Sequence, residues 1–175
     1  GYLGSGLSAE MESTSGMFSM TGLIHDAGFR SSVAVLAGSE ADVTAVFQLF
    51  RGTRDGFSPL KTRVVEAGCL GQWALDDLFA GEVHNGQPMT VKVILNSPGI
   101  AFATIVDNIT TDAAVIPGTA PQKSWLIPVV SHSGGRDGTL WTSTVSIWNS
   151  EAQSAAIIYF SIMSNSTGRS GQVKD

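Results

Sequence analysis

The sequence predicts an all-β protein, an antiparallel β-sandwich of about ten strands with one short helical segment. Three observations carry that expectation. Twenty glycines are scattered among Ser, Thr, Val, Ile and Ala, a mixture that suits short strands joined by tight turns and suits long helices poorly. Apolar residues alternate with polar ones in run after run, the period of a half-buried strand. Hydrophobic residues make up 43% of the 175 and charged residues only 14%, so the chain has the means to build a core.

Residues 1–16, "GYLGSGLSAEMESTSG", are rich in Gly, Ser and Glu with little overall periodicity, and read as an N-terminal leader or arm that is ordered only if something holds it. Tyr2 and Leu3 are its exceptions. Alternation begins at "MFSMTGLI" (17–24) and continues through "FRSSVAVLA" (29–37) and "VTAVFQLF" (43–50). After the turn-rich "RGTRDGFSP" it returns in "LKTRVVEA" (60–67). "QWALDDLFAG" (72–81) departs from period two: Trp73, Leu75, Leu78 and Phe79 gather on one side of a helical turn that would cap an open end of the sandwich. Two strands, "PMTVKVIL" (88–95) and "GIAFATIVD" (99–107), are then expected on either side of an "NSPG" turn, and "AAVIPG" (113–118) completes a set of seven over 17–118. Beyond "TAPQK" the pattern gives three more strands within 124–163, "SWLIPVVSH" (124–132), "LWTSTVSIWN" (140–149) and "SAAIIYFSIM" (154–163), followed by a polar tail over 164–175.

The last three strands repeat the 23–50 unit. At a spacing of 112, Phe29 falls on Trp141, Ser31 on Ser143, Val33 on Val145, Val35 on Ile147 and Phe47 on Tyr159. His25 and His132 correspond once the glycine loop of the second copy is allowed five extra residues. Matching of inward positions with inward positions marks a duplicated strand unit.

The same residues carry a resemblance. "WLIPVVSHSGGRDGTLWTSTVSIWNSEAQSAAIIYF", "SPGIAFATIVDNITTDAAVIPG" and "GFRSSVAVLAGSEADVTAVFQLF" are similar to the Ig-like β-sandwich repeats, mostly uncharacterised, that occur in tandem in large secreted and cell-surface bacterial proteins. The resemblance implies an Ig-like sandwich, an extracellular or cell-surface setting and a structural or adhesive role. In such repeats a segment like 125–163 resembles the first half of a unit and one like 17–118 the second, so the order here is reversed. Either the final strands complete the first seven within one chain, or they pair with another molecule.

Composition narrows the functional classes. Fifteen acidic against ten basic residues give a net charge of −5, and the bases are dispersed, so a nucleic-acid partner is not expected. No apolar run reaches the ~18 residues of a membrane-spanning helix, so membrane insertion is not expected either. Cys69 is the single cysteine, which rules out an intrachain disulfide. In "EAGCLGQW" it reads as a small buried residue.

Candidate sites are few. His25 and His132 hold equivalent places before a glycine loop, where a structural hydrogen bond to the loop is the expected role; His84 is the third histidine. No G-x-S-x-G occurs, and neither a catalytic set nor a cofactor is expected. "DNITTD" brings Asp107, Asn108 and Asp112 to a strand end, where oxygen ligands could hold calcium, although Asx-turn capping explains the same residues. Asp137 in "GRDG" reads as a turn residue. Asp76 and Asp77 are adjacent on a helical turn and so diverge, unlike a glycosidase pair.

Among Trp73, Trp125, Trp141 and Trp148, core packing is the leading expectation, with Trp148 the candidate for an exposed sugar-stacking platform. Asn108-Ile-Thr and Asn165-Ser-Thr fit the glycosylation sequon. The expected function is that of a non-catalytic extracellular structural protein whose partners are other copies of itself, assembled by strand exchange into a surface filament or layer. A carbohydrate-binding or adhesion module that takes surface glycans is the alternative.

Overall fold

A computed structural model describes residues 14–52 and 56–122, together with short stretches between 132 and 172. The described chain is all-β, with seven strands in one curled antiparallel sheet: β1 (Thr14–Leu23), β2 (Phe29–Ala37), β3 (Val43–Phe50), β4 (Lys61–Val65), β5 (Leu70–Ala74), β6 (Met89–Asp107) and β7 (Ala113–Pro117). A four-residue helix, α1 (Leu75–Leu78), follows β5. Two short ribbons lie outside the sheet, β8 (His132–Gly134) with β9 (Leu140–Thr142), and β10 (Ser161–Met163) with β11 (Ser170–Gln172). The last strand falls in the segment expected to be a polar tail.

The 19-residue β6 is the hub. Its first half is flanked by β3 (Phe50↔Thr90 to Ala45↔Leu95) and β1 (Leu23↔Met89 to Gly16↔Leu95), its second half by β2 (Ala37↔Gly99 to Phe29↔Asp107) and β7 (Val106↔Ala113 to Phe102↔Pro117). β4 adds to the far side of β3, and β5 to the far side of β2. The local orders are therefore β4-β3-β6-β1 and β5-β2-β6-β7, joined through a shared strand.

The "NSPG" segment is not a turn. It continues β6 and marks the bend where one half of the sheet passes into the other. Asn96 Oδ1 accepts the Thr44 N–H at 2.7 Å, and the Pro98 carbonyl accepts the Gly38 N–H at 3.0 Å, so side-chain and loop groups replace the regular ladder there. Pro98 has no N–H to leave unpaired. Gly99 permits the close approach, because a Cβ there would lie 3.0 Å from the Leu36 carbonyl oxygen.

Alternation fills the core. Along β3 the buried residues are Val43, Ala45, Phe47 and Leu49, which share one buried cluster with Met20 of β1, Val33 and Val35 of β2, and Val91 and Val93 of β6. Burial of each large side chain contributes about 1.5–3 kcal/mol.

The helical expectation over 72–81 shortens to one turn: Leu75, Leu78 and Phe79 are buried as the pattern requires, but Trp73 belongs to β5. It lies back over Gly71, where a Cβ would come within 2.5 Å of the ring, and meets Phe47 edge-on at 5.4 Å. Cys69, expected to be buried, is exposed in the β4–β5 turn, where its carbonyl accepts the Ala37 N–H at 3.0 Å.

Of the positions matched across the repeat, Val33 and Val35 are buried whereas Val145 and Ile147 are exposed, so these two pairs do not share an inward facing. The expected strand at 124–132 lies outside the described residues up to His132, where β8 begins, and that at 154–163 lies outside them up to Ser161. The strand expected over 140–149 is limited to β9, and 145–149 are irregular.

Candidate functional site

The corner between β1 and β2 is closed by a side chain that the sequence reading passed over. Asp26 Oδ1 accepts the N–H groups of Gly28 (2.7 Å) and Phe29 (2.8 Å), an Asx turn whose signal is the Asp two residues before a glycine. Ser31 Oγ donates to the Ile24 carbonyl and accepts the Ile24 N–H, tying the corner a second time. His25 contributes its carbonyl, which accepts the Gly86 N–H at 3.1 Å, while its Nδ1 has no hydrogen-bond partner among the described residues. Its Nε2 is 3.9 Å from Asp76 Oδ2, beyond hydrogen-bond reach. The imidazole thus does not make the loop hydrogen bond expected of it. His84 is exposed, and the side chain of His132 lies outside the described residues.

At the β6–β7 connection Asp107 Oδ1 accepts the N–H groups of Ile109 (2.7 Å) and Thr110 (3.2 Å). Those two hydrogen bonds, the Ile109 one foremost, favour the ionised carboxylate and lower its pKa below the ordinary 3.8. Asn108 Oδ1 accepts from Arg30 Nη1, and its Nδ2 donates to the Ala27 carbonyl at 3.2 Å. Asp112 N–H donates to Thr110 Oγ1, and the Asp112 carbonyl accepts the Asp107 N–H. Of the three calcium candidates, Asp107 and Asn108 engage their side chains in hydrogen bonds at this turn and Asp112 its backbone; among the described residues no group of three or more His, Cys, Asp or Glu is placed to hold a metal. The amide nitrogen that a glycan would join at Asn108 is the one that donates to Ala27. Asn165 lies outside the described residues.

Asp76 and Asp77 are exposed in the first turn of α1. Trp125 and Asp137 lie outside the described residues, as does the side chain of Trp141. Trp148 is half-buried and packs on Phe50 of β3, ring centroids 5.0 Å apart and inclined by 49°, with Lys92 Nζ 5.9 Å from the Phe50 centroid. Both Phe50 and Lys92 belong to the outer face of the sheet, since Phe50 pairs with Thr90 and Gln48 with Lys92, opposite in facing to buried Phe47 and Val93.

The most distinctive surface is the open edge. β4 and β5 end their half-sheets, and among the described residues each pairs with one strand only. The stretch that carries them exposes four large apolar side chains: Phe57 (54%), Leu60 (62%), Val64 (62%) and Leu70 (55%). An edge strand presents a row of backbone donors and acceptors to any incoming strand, and apolar side chains along it add burial to that template. Sequence reasoning did not find this surface, because exposure at 57–70 depends on which strand terminates the sheet.

No protein-family model matches the chain, and no curated protein matches it. Among solved structures it is similar to Thermotoga maritima 1070 at 12% identity, over 63% of this chain and 98% of that one, with a TM-score of 0.46. It is similar also to the Anabaena sensory rhodopsin transducer, at 13% identity over 50% of this chain and 93% of that one, with a TM-score of 0.43.

Proposed function

We propose that the chain is a non-catalytic, extracellular structural unit that assembles with copies of itself by strand addition into a surface filament or layer. One observation carries the reading: a β4–β5 edge that has no further strand partner among the described residues and is lined by Phe57, Leu60, Val64 and Leu70. Strand addition gains main-chain hydrogen bonds along the whole edge, and a head-to-tail contact of this kind propagates into a fibre unless the rotation closes it. The setting outside the cell and the Ig-like, tandem-sandwich description rest on the resemblance of the repeat residues. A non-catalytic role is supported by the engagement of Ser31 and Asp107 in turn hydrogen bonds and by the long His25–Asp76 separation.

Light scattering with negative-stain microscopy of the purified chain tests the reading. Regular polymers are the expected result; a monomer of 18.3 kDa at every concentration overturns it. A glycan-binding module is the second reading, favoured by the Trp148–Phe50 aromatic pair on the outer sheet face. Its test is Trp148→Ala, which would abolish retention on immobilised glycans and leave assembly unchanged.

A further inference from the structure

Lys61 and Arg63 of β4 pair with Phe47 and Ala45 of β3, which places both cations on the core-facing side of the sheet, at its rim. Neither enters an ion pair among the described residues; Arg63 donates only to the carbonyl of Thr62. Charges turned inward on an edge strand are a device against indiscriminate pairing, because a neutral or basic incoming strand would leave them buried without a partner. An acidic strand would satisfy them. Thr62, between the cations, and Val64, after Arg63, point to the other face, so a complementary strand alternates acidic residues with apolar ones.

A segment with that residue pattern exists in this sequence. Residues 7–12, "LSAEME", place Glu10 and Glu12 on one side of an extended chain and Leu7, Ala9 and Met11 on the other. Residues 1–13 lie outside the described part of the structure. In antiparallel register, Glu10 opposite Arg63 puts Glu12 opposite Lys61 and Ala9 opposite Val64, so both acids meet both cations at once.

The arm cannot reach the edge of its own molecule in this register. Thr14 is paired with Gly99 of β6, and β1 lies on the opposite side of β6 from β3 and β4. Counted along the sheet, a strand docked beyond β4 is four strand spacings from β1, about 19 Å. Glu12 is two residues from Thr14 and so within about 7 Å of it. We infer that the β4 edge is the docking site for the N-terminal arm of a second copy of this chain, with Glu10 and Glu12 recognising Arg63 and Lys61. The inference rests on the self-assembly proposed above and names its two contacting parts.

Charge exchange tests it in the full chain. Glu10→Lys/Glu12→Lys and Lys61→Glu/Arg63→Glu each set like charges opposite one another, and each alone is expected to weaken association by about tenfold or more. Mixed in equal amounts the two variants are expected to co-polymerise, since each arm then meets an edge of opposite sign, and a chain carrying all four changes is expected to polymerise alone. All of these residues except Arg63 and Lys61 are outside the described fold, and the latter two lie on the rim, so unchanged melting curves accompany each variant. Deletion of residues 1–13 is expected to leave monomers. If wild-type chain polymerises and the deletion variant does so equally, or if mixing the charge variants restores nothing, the arm-to-edge contact is overturned while self-assembly stands. If wild-type chain is monomeric throughout, both fail together.

Discussion

The two long margins of the sheet are finished differently. Along the β1–β7 margin the main chain is tied back: Ser19 N–H donates to the Thr119 carbonyl at 2.9 Å, Thr119 N–H returns the bond to Ser19 at 3.0 Å, and Gly118 N–H donates to the Ala101 carbonyl at 2.8 Å. The segment after β7 thus crosses to β1 through the isolated Ser19–Thr119 bridge. The β4–β5 margin has no such strap among the described residues, and its polar groups are left beside exposed Leu60, Val64 and Leu70. A protein that avoided association would close or blunt both margins. Among the described residues one margin is strapped and the other is not, and the proposed assembly rests on that contrast.

The largest perturbation treats both margins alike. Phe47 is fully buried at the centre of β3 and meets Trp73 of the open margin edge-on. Phe47→Ala leaves a cavity between the half-sheets and is expected to cost about 3–5 kcal/mol in chemical denaturation, removing order at both margins together. A loss below about 1 kcal/mol would mean that the half-sheets do not share one core.

Next in size is a change that loosens the closed margin alone. A Cβ at Gly118 would lie 2.6 Å from the Ala101 carbonyl oxygen, a backbone atom that cannot swing aside. Gly118→Val is therefore expected to cost about 1–3 kcal/mol and to displace the strap. Hydrogen exchange at the Ser19 and Thr119 amides would rise, while exchange at Val46 and Thr62 would not.

The open margin should respond in the opposite sense. Val64 is exposed, so Val64→Lys is expected to change monomer stability by no more than about 0.5 kcal/mol. Sedimentation should nevertheless show weaker association, since the substitution adds a third cation to the edge and removes apolar contact. Unchanged association would show that β4 is not the adhesive strand.

These margins also mark the limit of what the sequence conveys. β2 and β3 are legible to the residue because "FRSSVAVLA" and "VTAVFQLF" are short runs rich in β-branched and aromatic residues, the second alternating in burial throughout, and both are bounded by turn residues. β6 is read as two strands because Asn96, Ser97, Pro98 and Gly99 have the composition of a turn. The bonds from Thr44 and Gly38 that keep them extended come from a loop some fifty residues earlier, which no local window contains. β5 is hidden for a related reason: an edge strand that folds Trp73 over Gly71 has no clean period two. The Asp107 turn is legible, since an Asx cap is a local event, whereas the open edge is not, since it depends on which strand has no neighbour.

The smallest effect belongs to that turn, which starts the path from β6 through β7 to the closing strap. Thr111 there holds a positive φ of 62°, a backbone state that β-branched residues rarely adopt, so the loop relies on the Asp107 hydrogen bonds to keep its shape. Because the folded carboxyl has a lowered pKa, its stabilising contribution is present above the ordinary value of 3.8 and is lost as pH falls through the folded value. The wild-type melting temperature should therefore drop more steeply between about pH 5 and about pH 2 than that of Asp107→Asn, which keeps an accepting oxygen but has no charge to lose. The group is solvent-exposed, so the difference will be small and will shrink with added salt. Parallel melting curves for the two chains across that range would mean that the loop is held by Thr110 and Asn108 instead, and that the closed margin does not depend on the Asp107 charge.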